Sequence, residues 1–234
     1  MHLLRSLSDS PEFNCALEEY LLTERPFQDV LLFYINRPSV IVGRNQKIEA
    51  EVNTTYCRQH GIEVIKRLSG GGTVYHDYGN INYSFIVDKT DTAILDRDFG
   101  TPLIAALAAL GIPVTVGNRK ELLTANGYKI SGTAAHITRD SELFHGTLLY
   151  RTDLTVLERT LQGDRSLRGR SVASVSSPVI NLSDFRPQNE TTEDFLRLLC
   201  NFFMHYYQTQ PIQPISYEMI CGTEALIFKK RESK

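Results

Sequence analysis

The chain has 234 residues, 42% of them hydrophobic and 22% charged, with a formal net charge of -2. That length suits one generous domain or one domain with a small appendage. The near-neutral charge argues against a general nucleic-acid binder, because phosphate backbones are held by clustered Lys and Arg. Four scattered cysteines (Cys15, Cys57, Cys200, Cys221) show neither a CxxC nor a Cys/His metal spacing, and read as reduced thiols rather than a disulfide framework. The N-terminal segment lacks the pattern of a signal peptide, and no apolar run is long enough for a bilayer. The expectation is a cytoplasmic protein with no membrane partner.

In chain order, Ser10-Pro11 opens a helix over 11–22: Ser caps free amides and Pro suits the first helical position. Its apolar face carries Phe13, Leu17, Tyr20 and Leu21. Strands follow at 30–34 and 39–42, divided by the turn Asn36-Arg37-Pro38, then at 61–65 and 80–87. Residues 101–110 read as a core helix, 112–116 as a strand. Asn126-Gly127 is a hairpin signal that places Lys129 just beyond a tight turn, on a strand running to Ile137. A strand at 145–150 and a short helix at 154–161 come next. Phe195, Leu198, Leu199, Phe202, Phe203 and Tyr206 keep helical rhythm, and Pro211 and Pro214 close that helix. Many short strands without strict βαβ alternation point to α+β with a mixed, largely antiparallel sheet flanked by helices.

The segment Lys66-Arg67-Leu68-Ser69-Gly70-Gly71-Gly72-Thr73 carries the strongest chemical signal. Three glycines after a strand let backbone approach a ligand, and exposed amides can cradle an anion. No Gly-Lys-Ser/Thr closes the loop, so it is not a P-loop, and Tyr75 stands where a dinucleotide fingerprint needs glycine. Adjacent strand residues point to opposite faces, so His76-Asp77 is not a catalytic dyad, and His76 reads as structural. Cys57, His60, His136 and His205 also read as structural.

Arg67 to Asp77 with Gly79-Asn80 resembles the lipoate-protein ligase A and lipoyltransferase family, whose members carry R-x-S-G-G-G-x-V-[FY]-H-D-x-G-N. Lys129-Ile130-Ser131-Gly132-Thr133-Ala134 is similar to that family's K-[IV]-S-G-[ST]-A, and His145 to Leu149 to its H-G-T-L-L strand. The Ser174-Val175 to Asn181-Leu182 stretch looks like the family's S-V…N-L segment, and weaker similarity runs through Asn14, Ala16, Glu18 and Glu19, Pro38-Ser39-Val40 and Gly43-Arg44-Asn45-Gln46. The resemblance covers roughly the first 185 residues, in order.

That resemblance implies the biotin/lipoate ligase catalytic-domain fold, related to class II synthetase cores, over 1–185. Residues 186–234 would be a C-terminal helix and tail packed on the same domain, without the full accessory domain of longer ligases. It implies lipoate attachment to a carrier lysine through a lipoyl-adenylate made from ATP with Mg²⁺, or transfer from preformed lipoyl-AMP only. Lys129 would be catalytic, touching acyl carbonyl and phosphate. Arg67, Ser69, Gly71, Gly72, Thr73, Val74, Tyr75 and Asn80 would bind the adenylate; Gly71, Ser131 and His145 would line the acyl pocket. For His145 a second reading stands, a core histidine bonded to a backbone carbonyl. Asn118-Arg119-Lys120-Glu121 departs from the family's nucleotide-contacting Asn-Asp pair, and no carboxylate cluster names metal ligands.

The implied partners are lipoyl domains of 2-oxoacid dehydrogenase acyltransferases, the glycine-cleavage H protein and a separate accessory subunit. Arg37, Arg44, Lys47, Lys66 and Arg67 would offer acidic carriers a positive face. Octanoyl transfer through a cysteine thioester ranks lower, since after Lys129, where the thiol would be expected, no cysteine appears until Cys200, at a helix packing position. A non-catalytic lipoyl-domain-binding relative is the third reading. Biotin ligation is disfavoured because the G-R-G-R loop is absent.

Overall fold

The computed structural model describes residues 1–232. Strand β1 (His2–Arg5) precedes helix α1 (Pro11–Glu24), which starts where the sequence places it: the Ser10 side chain accepts from the Phe13 amide, with Pro11 at the first helical position. Strands β2 (Val30–Tyr34) and β3 (Ser39–Val42), short helices α2 (Ile48–Glu51) and α3 (Thr54–Gln59), and strands β4 (Glu63–Lys66), β5 (Val74–His76) and β6 (Asn80–Asp88) follow. Helix α4 (Gly100–Ala109) leads to β7 (Val114–Val116), β8 (Leu122–Thr124), β9 (Lys129–Ser131), β10 (Thr133–Ile137) and β11 (Ser141–Leu149). Then come α5 (Leu154–Thr160), α6 (Thr192–Tyr206), β12 (Gln213–Pro214) and α7 (Tyr217–Glu232).

The strands form three sheets, not one. The largest runs β10-β11-β6-β2-β1-β12, parallel between β2, β1 and β12 and antiparallel elsewhere. A second orders β4-β3-β5, and a third, β7-β8-β9, is antiparallel. The α+β class is therefore as expected.

Strand β2 is buried throughout because helices cover both of its faces. Leu31 and Phe33 pack with Leu103 and Leu107 of α4 and Phe195, Leu199 and Phe203 of α6. Leu32 and Tyr34 pack with Leu17 and Leu21 of α1 and Met219 of α7. Each fully buried aromatic or leucine contributes roughly 1.5–3 kcal/mol of transfer free energy. Helix α6 is also held by a capping box between Thr191 and Asp194.

Two expectations give way here. The strand expected over 130–137 is broken at Gly132, which exchanges hydrogen bonds with Thr147: its amide donates to Thr147 Oγ1 at 3.0 Å, and its carbonyl accepts from the Thr147 amide at 3.0 Å. The chain thus leaves the third sheet as β9 and enters the first as β10. Beyond α6, Gln213–Pro214 pairs with β1, and α7 then crosses α1, with Gly222 against the Tyr20 ring and ion pairs Lys230–Glu19 and Arg231–Glu12.

Candidate active site

The glycine ribbon bridges β4 and β5, and Arg67 determines its shape. Its guanidinium is buried, with Nε donating to Ser69 Oγ at 2.8 Å and Nη1 to the Ile41 carbonyl at 3.0 Å. Nη2 donates to the carbonyls of Gly70 at 2.5 Å and Gly72 at 2.7 Å. A planar fork can reach four acceptors at once in a way that an ammonium cannot. Gly71 has φ +82°, the left-handed region that glycine alone enters without strain, and Gly43 abuts its carbonyl so closely that a Cβ would sit 2.2 Å away.

Beneath the ribbon lies a buried polar chain. Ser69 Oγ meets His145 Nε2 at 2.7 Å, and His145 Nδ1 meets Glu18 Oε2 at 2.9 Å. Tyr34 donates to Glu18 at 3.0 Å, and Ser84 also donates to it. Burial opposes ionisation of Glu18, yet the adjacent His145 and the hydrogen bonds from His145, Ser84 and Tyr34 outweigh it and hold the carboxyl below its ordinary value. His145 is thus satisfied by a side chain rather than by a backbone carbonyl, and it lines the cavity described next.

A cavity of about 280 Å³ opens above this chain. One wall is Gly71, Gly72, Thr73 and Val74; Lys129, Arg119 and Glu121 stand at the side supplied by the third sheet; Cys15, Tyr34, Ile41, His76 and Asn82 come from the buried sheets and α1. Lys129 faces this cavity. Burial and the neighbouring Arg119 pull its pKa down while Glu121 opposes them, and its ammonium makes no hydrogen bond or ion pair of its own among the described residues. Arg119 donates to Glu121 at 3.3 Å and to Ser177 at 3.2 Å. The departure at 118–121 therefore puts a second cation and a carboxylate beside Lys129.

The segment 172–175 closes the cavity from above. Ser174 Oγ accepts from the Thr73 amide at 2.9 Å and from Gln46 Nε2 at 3.0 Å, and Gln46 Oε1 accepts from Thr73 Oγ1 at 2.8 Å. Gln46 thus ties the ribbon to the overlying segment. An adjoining cavity of about 540 Å³ shares Thr73, Val74, Lys129 and Gly132 and continues towards Tyr75 and α5.

Of the residues singled out from sequence, Arg67, Gly71, Gly72, Thr73, Val74, Lys129 and His145 share the first cavity. Four lie outside its lining. Tyr75 alternates to the opposite face, into the apolar cluster with Val40 and Cys57 and the edge of the second cavity. Ser69 sits under the ribbon; Ser131 is buried against the Tyr83 hydroxyl at 3.2 Å; Asn80 is buried, donating to Asn82 at 3.0 Å. His76 belongs to the cavity wall, while Asp77 turns away to accept from the amides of Gly79 at 2.9 Å and Asp153 at 2.8 Å. Cys15 was not singled out by sequence, because nothing local distinguishes a cysteine on the buried side of a helix from packing. Burial first, and then Glu18, push its thiol up to about 12.

The site is a partly enclosed cavity with a cationic side, formed by Lys129 and Arg119, and a wall of buried residues opposite. The family described as Lipoyl protein ligase A/B catalytic domain matches residues 10–204, and the chain belongs to it. It is 39% identical over 190 residues to the lipoate-protein ligase LplJ of Bacillus subtilis and 37% identical over 192 residues to lipoate-protein ligase 1 of Staphylococcus aureus. Those matches take in 80% and 81% of this chain but 57% and 58% of the relatives, so the chain spans little more than half their length. Among solved structures it resembles the bi-partite lipoate protein ligase of Thermoplasma acidophilum, described with its E2 lipoyl domain (TM-score 0.81, 26% identity, 98% of this chain and 93% of that one). It also resembles a lipoate-protein ligase A bound with ATP (TM-score 0.81, 25% identity, 100% and 97%). The biotin/lipoate ligase catalytic-type fold follows from these matches.

Proposed function

We propose that the chain attaches lipoate to a lysine of a carrier domain through a lipoyl-adenylate. The observation that carries this reading is the convergence of the glycine ribbon and Lys129 on one cavity whose far end is buried. Related proteins are described with bound lipoic acid and with ATP, which supports both as substrates. The acyl chain lies along the ribbon and the phosphate faces Lys129 and Arg119. The carrier amine attacks the acyl carbonyl, the new C–N bond forms, the bond to AMP breaks, and the amine sheds a proton. Lys129 stabilises charge that builds on the carbonyl and on the departing phosphate, the type of fixed electrostatic help that dominates such reactions. Arg67 acts chiefly by fixing the ribbon, since most of its donors are spent on it.

Mg²⁺ would enter with ATP. Among the described residues there is no group of three His, Cys, Asp or Glu that could hold an ion, and the phosphate oxygens of ATP would supply ligands for it. Catalytic chemistry is assigned to 1–185, with the helix and tail of 186–234 as part of the same unit; the aromatic face of α6 inside the main core supports this.

The partners proposed are lipoyl domains of 2-oxoacid dehydrogenases and the H protein, and a separate accessory subunit for the activation half. The positive face is smaller than the five residues expected from sequence. Arg37 is paired with Glu63 at 2.5 Å and Asp9 at 3.3 Å, and Arg67 is buried. Arg44, Lys47 and Lys66 remain together around one surface depression beside the ribbon. We assign the protein to the cytoplasm; no helix among the described residues is long and apolar enough to cross a membrane.

Cysteine-thioester transfer has less support. Cys200 lies in the core with its thiol pushed up to about 12 by burial, so no thiolate forms near neutrality. The deciding experiment is mass analysis of an apo lipoyl domain with ATP plus lipoate and, in parallel, with synthetic lipoyl-AMP. Modification in both supports a ligase, modification with the adenylate alone supports the transfer half, and modification only from octanoyl carrier protein overturns the reading.

A further inference from the structure

We infer that His76 is a specificity-determining residue whose Nε2–H donates to the sulfur-bearing end of the acyl group, a reading that rests on the acyl-transfer function proposed above. The tautomer follows from a chain of side-chain amides anchored on backbone. Asn14 Nδ2 donates to the Ser8 carbonyl at 2.8 Å, and a carbonyl can only accept, so the orientation of that amide is fixed. The same nitrogen donates to Asn36 Oδ1 at 2.7 Å, which turns Asn36 Nδ2 towards His76 Nδ1 at 3.0 Å. Nδ1 therefore accepts, and the ring proton resides on Nε2. Burial, followed by Arg67 and His145, takes the His76 pKa down to about 3, so the ring stays neutral and keeps this one donor.

Nε2 is buried and has no partner among the described residues, while the residue is only 4% exposed and lines the cavity. Tyr34, His145 and Asn82, which line the same cavity, are already hydrogen-bonded inside the protein. Tyr34 donates to Glu18, both nitrogens of His145 are engaged, and Asn82 donates to the Tyr34 carbonyl and accepts from Asn80. A buried donor without a partner is costly, and a fold that maintains one through two ordered side-chain amides has a use for an acceptor there. The head of the acyl group lies at Lys129 and Arg119, so its distal end reaches the buried wall. A dithiolane sulfur can accept a hydrogen bond there, weakly; the terminal methyl of a plain fatty acyl chain cannot. Sites built to bond a polar atom discriminate against analogues that lack it.

The test is the ratio of the dissociation constants of lipoate and octanoate, measured by calorimetry on the full chain. Wild type is expected to favour lipoate. His76→Leu, which keeps bulk and removes the donor, should lower that preference about tenfold. His76→Gln, whose amide nitrogen reaches close to where Nε2 stood, should restore most of it. Should His76→Leu fail to fold, the ¹⁵N–¹H resonance of Nε2 in the wild type still decides: lipoate is expected to shift it and octanoate to leave it near its free position. An unchanged ratio in His76→Leu, or equal shifts with both acids, overturns the assignment. A wild type that binds neither acid sinks the acyl-transfer reading itself, and this inference with it.

Discussion

Glu18 of α1 and His145 of β11, 127 residues apart in sequence, meet at 2.9 Å beneath the glycine ribbon and link it, through Ser69, to the Arg67 guanidinium. The chain thus runs from a buried carboxyl, through His145 and Ser69, to a buried guanidinium. The Glu18 carboxyl is held below its ordinary value of 4.5, because burial, which works against it, is outweighed by His145 and three hydrogen-bonding side chains.

A carboxyl with a lower pKa folded than unfolded contributes its stability in full above the unfolded value, and loses it as pH falls through the folded one. Stability is therefore expected to drop on acidification from about pH 5 downwards. Glu18→Gln should lower stability at neutral pH by roughly 1–3 kcal/mol and flatten that acid slope. Urea unfolding midpoints of both proteins at several pH values check this; parallel slopes would remove Glu18 from the role.

Arg67→Lys is expected to be far from conservative. One ammonium cannot serve Ser69 and the carbonyls of Ile41, Gly70 and Gly72 together, so buried acceptors lose partners at a cost on the order of 3 kcal/mol. Thermal unfolding should show the loss, and transfer should fall with it. A variant of wild-type stability that is inactive would instead make Arg67 a direct ligand of the acyl-phosphate.

Gly43→Ala should disturb the site from outside it. The added Cβ would lie 2.2 Å from the Gly71 carbonyl oxygen, which is backbone and cannot rotate aside. The expected result is a destabilisation of about 1–3 kcal/mol and weaker lipoate binding, read by calorimetry. Unchanged binding would show that the ribbon tolerates displacement.

The cysteines provide a chemical control. Cys15 and Cys200 have thiols pushed up to about 12, chiefly by burial, while Cys221 is exposed. Iodoacetamide at neutral pH should label Cys221 and spare the other two, as peptide mapping would show. Cys15→Ser should retain transfer within a few-fold; a loss above about tenfold would revive the thioester route.

Much of this was readable in advance, for identifiable reasons. Helix α1 announces itself through Ser10-Pro11, and the β8–β9 turn through Asn126-Gly127, where Gly127 has φ +78°. These are local signals. Helix α7 was not readable: it is held by Gly222 against Tyr20 and by ion pairs to α1, partners more than two hundred positions away in sequence. The break at Gly132 was hidden likewise, since it depends on Thr147. In the site, the motif residues Arg67 and Lys129 stood out, whereas the cavity roles of Cys15, His76 and Glu121 exist only once β5, α1 and the third sheet come together. His76 in particular reads as packing until Asn36 and Asn14 are seen to orient it.

The most direct test of the central claim is transfer from synthetic lipoyl-AMP to an apo lipoyl domain by wild type and Lys129→Ala, followed by mass spectrometry, with matched unfolding curves to confirm that both are folded. Loss of one oriented charge stabiliser predicts a rate at least about 100-fold lower in the variant. A folded Lys129→Ala that transfers at near wild-type rate would contradict the account.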